Sequence, residues 1–121
     1  MLGPYAYSTL NVRHDSIQSE PGDVRHFVRG IIRGIKFMNA QKDEATKIAR
    51  QEFPTMAQAD LSAIVDRYFS DDVWSKDGMI TPAAWKTSEA VVLEAGVLKQ
   101  SVPYDQVIDM QFVEAVLPTI Q

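Results

Sequence analysis

The chain has 121 residues, of which 45% are hydrophobic and 23% charged, and its formal net charge is −4. This length and composition are typical of one globular domain with a modest core. The negative charge argues against general nucleic-acid binding, because no basic excess is present to displace counterions from phosphates. The absence of cysteine excludes disulfides and thiolate metal sites. No apolar run approaches the ~20 residues that cross a bilayer, and the first residues lack the pattern of a signal peptide.

The N-terminal residues favour a β-strand. Gly3 and Pro4 indicate a turn, and residues with high strand propensity follow them. We therefore expect one short strand at residues 7–12. Because a single strand cannot pair its own backbone groups, this strand needs a partner within the chain or outside it.

A long amphipathic helix is predicted at residues 21–38. Its apolar residues follow the i, i+3, i+4, i+7 spacing that places them on one stripe: Val24, Phe27, Val28, Ile31, Ile32, Ile35 and Met38. Pro21 fits the first helical position, where no amide donor is needed. Gly30 and Gly34 form a small-xxx-small pair that would let another backbone approach. The helix cannot bury its stripe alone, so the rest of the chain should supply the partner surface.

Four further helices are predicted, at residues 43–53, 56–69, 82–95 and 110–117. Pro54 ends the first of them. Thr81 and Pro82 provide an N-cap and a first helical position for the third, and Gly96 fits the left-handed position of a Schellman stop. The chain is thus predicted to be mainly α, with about five helices and one short N-terminal strand.

Several segments follow one another in a recognisable order: YSTLNVRHD, EPGDVRHFVRGIIRGIKFM, KDEATKIARQEF, DGMITPAAWKTSEAVVLEAGVLKQSV and YDQVIDMQFVEAVL. In this order and spacing, the stretch from Tyr7 to Ala115 resembles the C-terminal portion of ABC-importer substrate-binding proteins. The resemblance is to the nitrate, sulfonate, taurine and thiamine-precursor group of that family. It implies an α/β periplasmic-binding-protein-like fold of type II, in which two lobes joined by a hinge hold a ligand between them.

By this resemblance, residues 1–121 are a single C-terminal segment of a two-lobed parent, beginning at the strand that returns to the first lobe. The implied function is the capture of a small molecule for uptake, with that ligand and an ABC permease as partners. The implied location is the periplasm, or the cell exterior with a lipid anchor. An unpaired strand and exposed helix faces also predict that the segment by itself forms homo-oligomers.

Three aromatic residues are candidate ligand contacts. The family's ligand residues lie mainly in the portion outside this chain, so none is transferred to a position here. Tyr5 and Tyr7 precede or begin the strand that by resemblance leaves the hinge, and they are the first choice. Trp74, in a loop, is the third candidate. Trp85 lies on the inward side of a capped helix, which favours core packing.

The opposite face of the long helix carries a basic stripe, made of Arg25, Arg29, Arg33 and Lys36. Such a stripe could attract an anion or contact an acidic partner, such as a permease loop. A solvated helix face is the favoured interpretation. No aromatic residues alternate with these cations, which is further evidence against nucleic-acid binding.

No residue pattern indicates catalysis, a metal site or a cofactor. His14 and His26 are the only histidines, and no carboxylate or histidine lies at i, i+4 from His26 in a ligand pattern. Asp71, Asp72 and Asp77 do not follow the alternating oxygen pattern of a calcium loop. We therefore expect no enzyme. Two alternatives stay open: a self-contained helical interaction domain that uses the basic stripe, and an enzyme of the thiamine-precursor branch that shares the binding-protein fold.

Overall fold

The computed structural model describes residues 3–120, and within them the chain is mainly helical, as predicted. The described residues form seven α-helices followed by one short 3₁₀-helix: α1 His14–Ser19, α2 Pro21–Ala40, α3 Lys42–Glu52, α4 Gln58–Ser70, α5 Pro82–Glu94, α6 Tyr104–Val107, α7 Gln111–Val116 and the 3₁₀-helix Leu117–Thr119. None of the described helices is long and apolar enough to span a bilayer.

The predicted strand at residues 7–12 is wrong for the described chain, and the α/β sheet to which it would belong is not formed there. A strand exists only where its backbone groups pair with a second strand, and residues 3–120 contain none. Residues 3–13, which we call the N-terminal segment, instead lie irregularly against α5. The backbone of Ala6 is bonded there to the side chain of Ser88.

Helix α2 organises the main core. Its buried residues are Val24, Val28 and Ile32. They pack against Phe112, Val113 and Val116, all on α7. Because the short α7 covers only one side of α2, other members of the predicted apolar stripe stay in contact with solvent. Phe27 is 58% exposed and Ile31 is 38% exposed.

Helix α3 packs against α2 on one side and against α4 on the other. Leu61 and Val65 of α4 are buried. Trp74, in the loop after α4, packs edge-on against two rings of that helix, with centroid distances of 5.2 Å to Tyr68 and 5.1 Å to Phe69. Such edge-to-face pairs are favoured because the positive edge of one ring meets the negative face of another. This aromatic cluster holds the loop against the end of α4.

The two ends of α5 are fixed by local signals. The hydroxyl oxygen of Thr81 accepts a hydrogen bond from the backbone amide of Ala84 at 3.2 Å, which satisfies one of the helix's free donors. At the other end Gly96 has φ +70°, and the Val97 amide donates to the Val92 carbonyl at 3.0 Å. This is the predicted Schellman stop, in which glycine takes the left-handed position without steric cost. Helix α5 is therefore a well-defined wall for the groove described below.

An open groove between the N-terminal segment and helix α5

The candidate site is an open groove of about 330 Å³. It is lined by the N-terminal segment, by Ile80 just before α5, by α5 itself, and by residues 107–110, which run from the end of α6 to the start of α7. Its polar and aromatic side chains include Tyr5, Tyr7, Trp85, Ser88, Glu89 and Asp109, and Leu10, Ile80, Val92 and Val107 are among its apolar ones. This volume is at the small end of the range for sites that hold small molecules.

Ser88 attaches the N-terminal segment to α5. Its hydroxyl oxygen accepts from the Ala6 amide at 2.9 Å. The same hydroxyl lies 3.2 Å from the Ala6 carbonyl and 2.9 Å from the Ala84 carbonyl, and it has one proton to donate between them. This attachment sets the position of the tyrosines on either side of Ala6.

The two tyrosines predicted as ligand contacts both line the groove. The ring centroids of Tyr5 and Tyr7 lie 6.0 Å apart with 34° between their planes. Tyr7 is 86% exposed, so its ring packs very little against the rest of the protein. An aromatic ring left in water at the rim of a groove is free to contact a ligand.

Trp85 forms part of the groove's inner wall. It is half-buried rather than fully enclosed in the core. Its indole nitrogen donates to the Val102 carbonyl at 3.1 Å. Because that N–H is the only polar group of the side chain, what remains for a ligand is the apolar ring surface.

Two carboxylates border the groove. Glu89 is half-buried, and its Oε1 accepts from the Ser101 hydroxyl at 2.9 Å and from the Val102 amide at 2.6 Å. Asp109 is exposed, and its Oδ1 accepts from the Gln111 amide at 3.0 Å. Both side chains are thus held in place by local hydrogen bonds while retaining further acceptor capacity. Among the described residues, no lysine, arginine or histidine lines the groove.

Trp74, the third ligand candidate, does not line the groove. It belongs to the aromatic cluster with Tyr68 and Phe69. The ammonium of Lys42 lies 5.2 Å from the Phe69 ring centroid, which adds a cation–π contact at an exposed position. The structure therefore brings Tyr5 and Tyr7 together and leaves Trp74 in a packing role elsewhere.

The four residues of the basic stripe on α2 differ in their contacts. Arg25 and Arg33 are exposed, Arg29 is half-buried, and none of the three forms an ion pair with another described residue. Lys36 is half-buried, and its ammonium donates to the Ile120 carbonyl at 2.8 Å. Lys36 therefore helps to hold the C-terminal end of the described chain against α2.

The remaining titratable candidates lie in local contacts. Both histidines are exposed, and Nε2 of His14 is 3.1 Å from the side-chain nitrogen of Gln18. Asp72 pairs with Lys76 at 2.8 Å. Across residues 3–120, no group of three or more His, Asp or Glu side chains could hold a metal ion.

The clearest electrostatic perturbations lie outside the groove. The Arg13 guanidinium makes two hydrogen bonds to the Asp15 carboxylate, at 2.9 and 2.5 Å, and these lower the pKa of Asp15. The hydrogen bond to Glu44 raises the pKa of Lys47. All four groups are on the surface, so these pairs affect local charge more than the stability of the fold.

Comparison with protein-family models, curated proteins and solved structures finds no match to this chain. The case for its function therefore depends on the groove, the exposed surfaces and the order of the sequence motifs.

Several groove residues were not identified from the sequence as site residues. Trp85 was placed on the inner side of its helix, and Ser88, Glu89 and Asp109 were not proposed as site residues. The available signal was a serine among apolar residues on that inner side, followed at once by a glutamate. The docking of the N-terminal segment onto α5 joins residues 82 positions apart, and no local pattern encodes it.

Proposed function

We propose that this chain is the C-terminal segment of a type II solute-binding protein that serves an ABC importer, and that its groove contributes to holding the solute. The observation that carries the proposal is the meeting of Tyr5 and Tyr7 with Trp85 in one groove of small-molecule size. Concave sites with aromatic walls and a few fixed polar groups are typical of small-molecule binding.

The surfaces left uncovered by residues 3–120 also support the proposal. Among residues 3–12, Ala6 is the only one that forms hydrogen bonds to the rest of the described chain. Tyr7 is 86% exposed and Leu10 is 49% exposed, an uncommon state for residues with strong strand propensity. In an α/β parent this segment would gain a neighbouring strand, and the exposed face of α2 would gain a covering layer.

In this account the solute is held by closure of two lobes, and this chain supplies one wall. The ring of Trp85 would face an apolar part of the solute, and Tyr5 and Tyr7 would contact it from the rim. Hydrogen bonds from Ser101 and the Val102 amide keep Glu89 in place, so ordering this carboxylate on binding costs little.

The test is a thermal-shift screen of the full 121-residue chain against small solutes of positive, negative and zero charge. A solute present at a hundred times its Kd stabilises the folded state by about 2.7 kcal/mol, which raises Tm by several degrees. Tyr7→Ala should reduce this rise without lowering the Tm of the free protein, because the side chain is 86% exposed.

Phe53→Ala is the matched control, since Phe53 is an aromatic residue 53% exposed that lies outside the groove. The proposal predicts that this variant keeps the full ligand-induced rise in Tm. The absence of any rise across the panel, or an equal reduction in both variants, would contradict it. The coding sequence upstream is also expected to encode an export signal and two more α/β stretches.

A helical protein-interaction domain is the second candidate, and the exposed face of α2 favours it. Phe27 and Ile31 are exposed on this helix, and a Cβ added at Gly30 or Gly34 would meet open space. Arg33 is exposed on the same helix. If this function is correct, the chain should elute as a stable monomer and bind an acidic protein through α2, and Arg33→Glu should abolish that binding.

A further inference from the structure

The charged side chains that line the groove are acidic, and this affects which solute it binds. Glu89 and Asp109 line it, and no basic side chain of residues 3–120 does so. Desolvating an anion in such a place is unfavourable, because the neighbouring carboxylates repel it and no cation compensates. A cation also loses hydration, but the two carboxylates attract it and offset that cost.

The hydrogen bonds on the α5 side of the groove also favour a cation over an anion. The Ala6 amide donates to Ser88, the Ser88 hydroxyl donates to a backbone carbonyl, and the Trp85 indole donates to Val102. These donors on the α5 side are therefore already engaged, and the side-chain donors on the opposite wall are the neutral groups of Tyr5, Tyr7, Thr9 and Asn11. The carboxylate of Glu89 uses one oxygen for both of its bonds, which leaves Oε2 to accept from a ligand.

The aromatic residues complete the pattern. Tyr5, Tyr7 and Trp85 line the same groove as the two carboxylates. The face of an aromatic ring attracts a cation through its quadrupole, and Trp and Tyr do so most strongly. Rings next to carboxylates thus offer an organic cation both a charge partner and an apolar surface.

We propose that the groove selects a small organic ammonium ion over neutral or anionic molecules of the same shape. The N–H groups of the ammonium donate to Glu89, and its carbon body lies against Trp85 and Tyr7. This inference rests on the proposed function, since it names the chemical class of the solute that the groove holds.

Three probes of nearly equal shape test the charge preference: benzylammonium, benzyl alcohol and benzoate. Binding is followed by the emission of Trp85 in a Trp74→Phe background, because Trp74 lies outside the groove and would add a constant signal. We expect benzylammonium to bind at least about tenfold more tightly than benzyl alcohol, the difference between a charged and a neutral hydrogen bond. Benzoate should bind most weakly.

Glu89→Gln tests the residue itself. The amide oxygen can still accept from Ser101 and Val102, so the loop is kept while the charge is removed. We expect about tenfold weaker binding of benzylammonium and a clearly smaller loss for benzyl alcohol, whose hydroxyl can donate to the amide oxygen as well. Glu94→Gln, an exposed position on the same helix outside the groove, is the control for net charge and should leave all three affinities unchanged.

Each outcome separates the inference from the proposed function. If benzoate binds as tightly as benzylammonium, or if the Glu89 and Glu94 variants behave alike, the cation preference is wrong and solute binding by the groove remains. If none of the three probes binds while another solute in the thermal-shift panel does, the inference is again wrong. If no probe and no solute binds, the proposed function falls with it.

Discussion

Ile32→Ala is the most informative test of the fold, because it removes a side chain from the centre of the α2–α7 core. Ile32 is 1% exposed and packs in the same cluster as Phe112 and Val116. The adjacent residue on the same helix, Ile31, is 38% exposed and outside that cluster. The two substitutions remove the same atoms from two faces of one helix, so Ile31→Ala is a matched control.

The size of the effect follows from the atoms removed. Isoleucine loses three carbon groups on truncation to alanine, and at about 0.8 kcal/mol for each buried group the transfer cost is about 2.4 kcal/mol. The cavity left in the core raises the cost of Ile32→Ala to about 3–4 kcal/mol. At Ile31 water fills the space, and the expected cost is about 1 kcal/mol. Few of the described side chains are fully buried, so a loss of 3–4 kcal/mol is a large share of the total stability.

Urea unfolding followed by far-UV circular dichroism measures both costs by linear extrapolation. The account predicts a difference of at least about 2 kcal/mol between Ile32→Ala and Ile31→Ala, at similar slopes. Equal losses would refute the assignment of the core to one side of α2. A larger loss for Ile31→Ala would mean that α7 packs against the other face of the helix.

Two further predictions concern surface and capping contacts. The pKa of Asp15 should lie below its ordinary value because Arg13 hydrogen-bonds its carboxylate; Arg13→Gln should raise it in an NMR titration. Because that pKa is lowered in the folded state, the stability from this pair is present above the unfolded-state pKa and is lost as pH falls through the folded-state pKa. The Tm values of the two proteins should therefore converge in acid, and a gap that widens in acid would contradict the assignment. Thr81→Ala removes the N-cap of α5 and should lower the free energy of unfolding in urea by about 1 kcal/mol. Thr87→Ala, within the same helix, is the control and should not lower it measurably. Equal losses for the two variants would exclude the cap.

Helix positions could be predicted because their signals are local. Pro21 lies in the first turn of α2, and Thr81 is the N-cap of α5. Gly96 takes the positive φ that ends α5. The predicted and observed ends of both helices agree within two residues. The short helices α1 and α6 were missed because neither buries a residue and so neither shows an apolar period, unlike the equally short α7, which buries three.

The burial of individual residues could not be predicted in the same way. The spacing placed Phe27, Ile31 and Ile32 on one stripe, but the position of α7 decides that only Ile32 is enclosed. The strand prediction at residues 7–12 failed for a related reason. Strand propensity describes how a residue fits a paired, half-buried surface, and the described chain offers no second strand.

The candidate site was predicted only in part. Tyr5 and Tyr7 were identified from their position before the predicted strand, and both line the groove. Trp74 was chosen because it lies in a loop, but its ring packs against Tyr68 and Phe69. Trp85 was assigned to the core, whereas it is half-buried at the groove. These differences depend on contacts between distant parts of the chain, which side-chain spacing within one helix does not report.

The central claim is that the groove between the N-terminal segment and α5 is where this chain contacts a solute. An amide NMR titration of the full chain with benzylammonium, benzyl alcohol and benzoate tests it directly, because it locates binding without assuming a charge preference. The account predicts shifts concentrated at Tyr7, Trp85, Ser88 and Glu89, with the amides of α2 and α3 unchanged. Shifts concentrated on the basic stripe of α2, or no saturable shift with the three probes or with any solute of the thermal-shift panel, would contradict it.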